Sequence, residues 1–198
     1  MAALGVRAEQ GSGLPRGAVA ELEAAATDPD PRIRTAAVAA LVRAAGTRRA
    51  TGAWRRACAD PAPEVRRRAA ELTPKLSPRP NARPLVDLLD DPEVTVVEAS
   101  AWALGELGES AAVPRLVTLA TKHDDPLARE AAVAALGAIG DRAGLAAILA
   151  ACKDKPAVRR RAVLALAPFD GPEVDAALEN ALKDRDWQTR QAAEDLRG

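Results

Sequence analysis

From residue 18 onward, apolar positions recur every three or four residues, interrupted by short breaks built from Asp, Pro and Gly. That period belongs to amphipathic helices. In "AVAELEAAATD", residues 18–28, Val19, Leu22 and Ala26 share one face, and in the segment from Pro31 the residues Ile33, Ala36, Ala37, Ala40 and Leu41 share another. The pattern predicts two helices in succession. Asp30 before Pro31 and Asp125 before Pro126 place a capping acid ahead of proline at the first helical position, with Pro63 and Pro156 in register. Gly46, Gly108, Gly140 and Gly171 are predicted to close the second helices, where a left-handed residue is least costly.

The pair of helices repeats. "DPDPRIRTAAVAAL" (28–41) recurs as "DPAPEVRRRAAEL" (60–72), "DPEVTVVEASAWAL" (91–104), "HDDPLAREAAVAAL" (123–136), "DKPAVRRRAVLAL" (154–166) and "DRDWQTRQAAEDL" (184–196). Aligned on Arg34, Arg66, Val97, Arg129, Arg159 and Arg190, the six copies step by 32, 31, 32, 30 and 31 residues. Units of about 18–46, 47–77, 78–108, 109–140, 141–171 and 172–198 follow, forming one domain behind a flexible or capping segment 1–17. Neither helix of a unit can bury its stripe alone, so units stack and stability becomes a sum of nearest-neighbour terms. The pattern Asp-Pro, Val-Arg, Ala-Ala-x-Ala-Leu resembles the short HEAT repeats of phycobilisome lyase-type proteins. That resemblance implies an all-α fold, a right-handed α-solenoid of about six HEAT-like hairpins, with first helices on the convex side and second helices on the concave side.

An Asp stands six residues before the Arg in three copies: Asp28 and Arg34, Asp60 and Arg66, Asp184 and Arg190. Together with Arg129 and Arg159 these are expected to form a ladder of charge-assisted bonds between neighbouring units, as the resemblance also implies. Val97 leaves that ladder a rung short.

Composition agrees with closely packed helices: 48% of residues are apolar, mostly Ala, Leu and Val, with one Phe, three Trp and no Tyr. Formal charge is zero, but 32–83 carries 13 basic and 3 acidic residues, net +10, and 84–125 carries 2 basic and 9 acidic, net −7. No global field draws the chain to nucleic acid or membrane. "MAALGVRAEQGSGLPRG" has no apolar core of signal-peptide length, and no later segment nears the run of about 18 apolar residues that a membrane span needs. A cytoplasmic monomer is the expectation.

Catalytic constellations are absent from the sequence. The single His123, beside Asp124 in an inter-helix turn, reads as a capping or solvent-facing residue rather than a triad base. No His-Glu pair exists, so the mechanism of the di-iron deoxyhypusine hydroxylases that share this repeat is not expected. Cys58 and Cys152 read as small buried thiols. "GELGES" follows a helix and is no phosphate loop. No metal, no cofactor and no enzyme activity are expected, and no bilin-binding residue can be carried over from the lyases.

What remains is surface. Outward positions of the second helices fall at 32, 35, 39 and 43 in copy one, at Glu64, Arg67, Glu71 and Lys75 in copy two, at Thr95, Glu98, Trp102 and Glu106 in copy three, and at Leu127, Glu130, Ala134 and Ala138 in copy four. Trp102 between two glutamates has the character of an interface anchor with a polar rim. Its indole face suits a Lys or Arg of a partner. Trp54 is expected in the core and Trp187 over the end of the repeat array. The function this supports is a scaffold or adaptor for a protein or peptide with a basic patch, bound at Thr95, Glu98, Trp102, Glu106, Arg67, Glu71 and Glu130. Alternatives are nucleic-acid binding through Arg48, Arg49, Arg55 and Arg56, which the shortage of aromatics disfavours, and an accessory subunit of a lyase-type enzyme.

Overall fold

The computed structural model describes residues 17–44 and 47–197, and of Thr47 only the backbone. Segment 1–16 and Gly46 lie outside the described residues, and so do the expectations placed on them. Among the described residues there are twelve α-helices and no strand: α1 Ala18–Ala25, α2 Pro31–Ala44, α3 Thr47–Cys58, α4 Pro63–Leu72, α5 Arg83–Asp87, α6 Val94–Leu107, α7 Val113–Lys122, α8 Pro126–Ile139, α9 Leu145–Ala151, α10 Pro156–Ala165, α11 Pro172–Ala181 and α12 Trp187–Arg197. They pair as six hairpins, an all-α fold of HEAT-like repeats. The chain forms two compact units, one ending at Ala103 and the other beginning at Leu104.

In the first unit the core starts from Leu22 of α1, Ala40 and Leu41 of α2 and Ala53 of α3, with Val19 and Ala26 packed against them. Trp54 is fully buried. Its Nε1 donates to the Ala69 carbonyl at 3.1 Å and to Thr73 Oγ1 at 2.8 Å, which fixes α3 to the end of α4 and satisfies the one polar group of the indole. Prolines at 78, 80 and 84 leave little room for the next first helix, so α5 is five residues long and continues as a 3-10 turn, Leu88–Asp90. Leu85 still reaches the core, and the buried Ser100 of α6 donates to its carbonyl at 2.6 Å.

Two local expectations change. On α2, Ala37, Ala40 and Leu41 are buried as expected, but Ala36 is exposed and Ala39 buried, each opposite to its expected side. Alanine supplies so little apolar surface that a helix rich in it carries a weak orientation signal, and packing decides. Gly171 does not close a second helix: at φ 118° it stands before Pro172 and opens α11. Gly108 and Gly140, at φ 60° and 69°, do follow α6 and α8 in the left-handed region.

The second unit packs α8 against α7 and α10, and α10 against α12. At Gly137 of α8, an added Cβ would lie 2.6 Å from the Ala165 Cβ and 2.7 Å from its Cα, so only glycine permits this approach to α10. Caps behave as the sequence requires: the backbone N–H groups of Leu127 and Arg32 donate to Asp125 and Asp30 at 2.8 Å.

Candidate protein-binding face and the ladder beneath it

The recurring arginines run along the helix-start turns of both units. Arg34 forks onto Asp60 of the next repeat, Nε to Oδ2 at 2.8 Å and Nη2 to Oδ1 at 2.6 Å, while Nη1 donates to the Asp28 carbonyl at 2.8 Å. Arg66 does the same with Asp91 (2.6 and 2.8 Å) and the Asp60 carbonyl. In the second unit, Arg129 holds Asp154 at 2.7 and 2.8 Å and Arg159 holds Asp184 at 2.8 and 2.8 Å. Each guanidinium therefore reads its own repeat through backbone and the next through a carboxylate. All four pairs are largely buried. Among the described residues Arg190 makes only the backbone half, to the Asp184 and Arg185 carbonyls.

These contacts shift titration. Burial alone would push Asp60 and Asp91 up, but the guanidinium and a backbone N–H outweigh it and hold both below the usual carboxylate range. At Asp154 and Asp184 the arginine hydrogen bond dominates and the direction is again down. Sequence reasoning did not assign Asp91 to the ladder, although the aspartate that starts five of the six copies was the signal available. Val97 fills the arginine position of copy three with an apolar side chain that is 0% exposed. The matching acid position of copy four is His123, whose Nδ1 accepts the Asp125 N–H at 3.0 Å, so it keeps the turn-capping role of the aspartates.

On the exposed side of the second helices, Trp102 of α6 is 48% exposed and thus surface, not core. Glu98, one turn earlier, is half-buried and Thr95 is exposed. On α4, Arg67 is exposed and lies 3.5 Å from Glu71, which also takes Arg68 at 3.0 Å. Glu71 is thereby neutralised, and Glu98 has no ion pair among the described residues. In the second unit, Glu106 is exposed on the last turn of α6, and Glu130 is half-buried with Arg161 at 3.5 Å. Trp187 is 63% exposed at the start of α12, so it covers little.

The remaining candidate chemistry is quiet. Burial pushes the Cys58 thiol up to about 12 and the Cys152 thiol up to about 11, so neither is a thiolate at neutral pH. Among the described residues no group of three or more His, Cys, Asp or Glu could hold a metal ion, and no helix is long and apolar enough to cross a membrane.

Helical hairpins in six tandem copies, with a guanidinium–carboxylate ladder within each unit, define a repeat solenoid of the armadillo and HEAT class. The profile of HEAT repeats matches residues 52–134, 82–157 and 116–197, and the chain belongs to that family. No curated protein matches it by sequence. Among solved structures, it is similar to the complex of CpcE and CpcF of phycocyanin lyase from Nostoc sp. PCC7120, with a TM-score of 0.67 and 24% identity over 93% of this chain and 76% of that one. The designed armadillo repeat protein YIII(Dq.V1)4CPAF in complex with peptide (KR)4 gives 0.66 and 18%, over 90% and 97%. YIBA of Escherichia coli gives 0.64 and 17%, over 96% and 71%. At these identities the likeness is one of fold.

Proposed function

We propose that this chain is a non-catalytic scaffold that binds a basic segment of a protein partner on the exposed face of α4 and α6 in its first unit. The observation that carries the reading is Trp102, half-exposed on α6 with the carboxylate of Glu98, unpaired among the described residues, one turn before it. A large aromatic held open to water gains most when a partner covers it, and a cation that stacks on the indole meets the carboxylate at the same time. Thr95 and the Arg67–Glu71 pair form the polar surround. That a designed repeat protein of the same fold class is solved with a (KR)4 peptide supports a basic ligand for such a surface.

The test is anisotropy with a fluorescent peptide of alternating Lys and Arg. Trp102→Ala combined with Glu98→Lys is expected to weaken binding at least about tenfold while leaving the melting temperature within a degree or two, because neither side chain is core. Equal binding by the double variant and the native chain refutes the site. Binding should also weaken with added salt, since the attraction between exposed charges is screened beyond about 10 Å at 0.1 M.

A further inference from the structure

The other surface with unbalanced charge is α3. At 100° per residue, Arg48, Arg49, Gly52, Arg55, Arg56 and Ala59 fall within one sector of about 120°, and the four arginines are all exposed. The opposite side holds Ala50, Ala53, Trp54, Ala57 and Cys58, all buried. Arg48 and Arg55 form one row and Arg49 and Arg56 a second, each pair seven residues and so about 10.5 Å apart along the axis. Gly52, with Ala59 just past the helix end, lies between the rows.

Three features separate this strip from an ordinary solvated face. The guanidinium groups of Arg48, Arg55 and Arg56 have no ion pair or hydrogen bond among the described residues, and Arg49 has only a distant one, 3.9 Å from Glu23. Gly52 stands inside the helix, where glycine is unfavourable, yet a Cβ there would meet only Arg56 Nη1 at an ordinary 3.8 Å. Folding gives no reason for it. The strip is also one helix wide: on one side α1 presents Glu23, 3.9 Å from Arg49, and α5, which packs on α3, carries Arg83 already neutralised by Asp87 at 2.7 Å.

We propose that this face of α3 is a docking trough for an acidic helix of a partner protein, with Gly52 and Ala59 as its floor and the two arginine rows as its walls. Carboxylates seven residues apart on the partner match the spacing of each row, and the small floor lets two helix axes approach closely. Charge complementarity selects the partner, and the aliphatic stems of the arginines supply apolar contact beside the floor. A nucleic-acid duplex fits less well. Its paired phosphate strands cover more than one helix width and would meet the carboxylates of Glu23 and Asp87, and the strip has no aromatic for base stacking. The surface is distinct from the one around Trp102 and does not depend on it.

The probe is a fluorescent alanine-based helical peptide of about 20 residues, long enough to hold helix, with glutamates on both flanks of one face at seven-residue spacing. Anisotropy against the full chain is expected to show binding that is lost when the glutamates are replaced by glutamine. Arg48→Glu with Arg55→Glu should weaken it at least about tenfold. Gly52→Leu, which fills the floor without changing charge, should do the same, while Trp102→Ala leaves it unchanged. Circular dichroism identifies a variant that has failed to fold, and the glutamate and glutamine peptides on the unaltered chain then decide the matter alone. Equal binding of those two peptides, native affinity in a folded Gly52→Leu variant, or tighter binding of a mixed-sequence duplex by the same arginines would each overturn the proposal.

Discussion

Arg66 donates to two repeats at once, through Nε and Nη2 to Asp91 and through Nη1 to the Asp60 and Pro61 carbonyls. Removing either partner of such a buried pair strands a charge, whereas replacing both with apolar groups of similar volume is often neutral. Arg66→Ala is therefore expected to lower unfolding free energy by about 3–5 kcal/mol in urea titration. A loss below about 1 kcal/mol would place this rung with the weak surface pairs. Trp54 and Trp102 make the same distinction for aromatics. Both looked alike as isolated tryptophans in an alanine-rich chain, and their registers on first and second helices pointed to different environments. Truncating the fully buried Trp54 to alanine should cost about 3–5 kcal/mol.

At the scale of the helix, two glycines show opposite reasons for the same residue. Gly137 sits where α8 touches α10, and a methyl group there would overlap the backbone of Ala165. Gly137→Ala is expected to destabilise by about 1–3 kcal/mol, because the two helices must separate. At Gly52 on α3 a methyl group would meet only Arg56 Nη1 at an ordinary 3.8 Å, so Gly52→Ala is expected to stabilise by up to about 1 kcal/mol through helix propensity. Paired thermal melts check both signs, and a Gly52→Ala variant less stable than the native chain would mean that the glycine has a packing role the structure does not reveal. Helix starts were legible in the sequence because an aspartate and a proline each act within one turn. The sides of Ala36 and Ala39 on α2 were not, because the two differ only in which neighbour covers them.

For the whole molecule, the ladder turns local hydrogen bonds into a response to pH. Asp60, Asp91, Asp154 and Asp184 all titrate below the ordinary carboxylate range. A depressed folded-state value means that the stabilisation is complete above the unfolded value, about 3.9 for Asp, and is lost as pH falls through the lower folded values. The melting temperature should thus stay nearly level from neutrality to about pH 5 and drop steeply below about pH 4. Asp91→Asn should remove part of that acid-sensitive increment. A melting temperature that holds down to about pH 3 would show that the rungs add little. Neutrality of the chain hides an uneven distribution of charge, +10 over 32–83 and −7 over 84–125.

The sequence by itself determined the fold class, the number of hairpins, the starts of the second helices at Pro31, Pro63, Pro126 and Pro156, and the burial of Leu22 and Trp54 on first helices. Each of these depends on neighbours within a few positions or on a period near 31, and both are visible in one dimension. It also gave the recurring arginines. Tertiary structure decided which aspartate each arginine holds, since Nη1 goes to its own turn and the carboxylate comes from 25 or 26 residues further on. It decided that Trp102 is open to water, that Glu71 is already neutralised while Glu98 is not, and that Arg48, Arg55 and Arg56 of α3 have no partner among the described residues. The physical reason is common to all of them. Exposure and pairing depend on what a neighbouring helix brings to the same place, and a repeat period tells which positions are equivalent without telling what covers them.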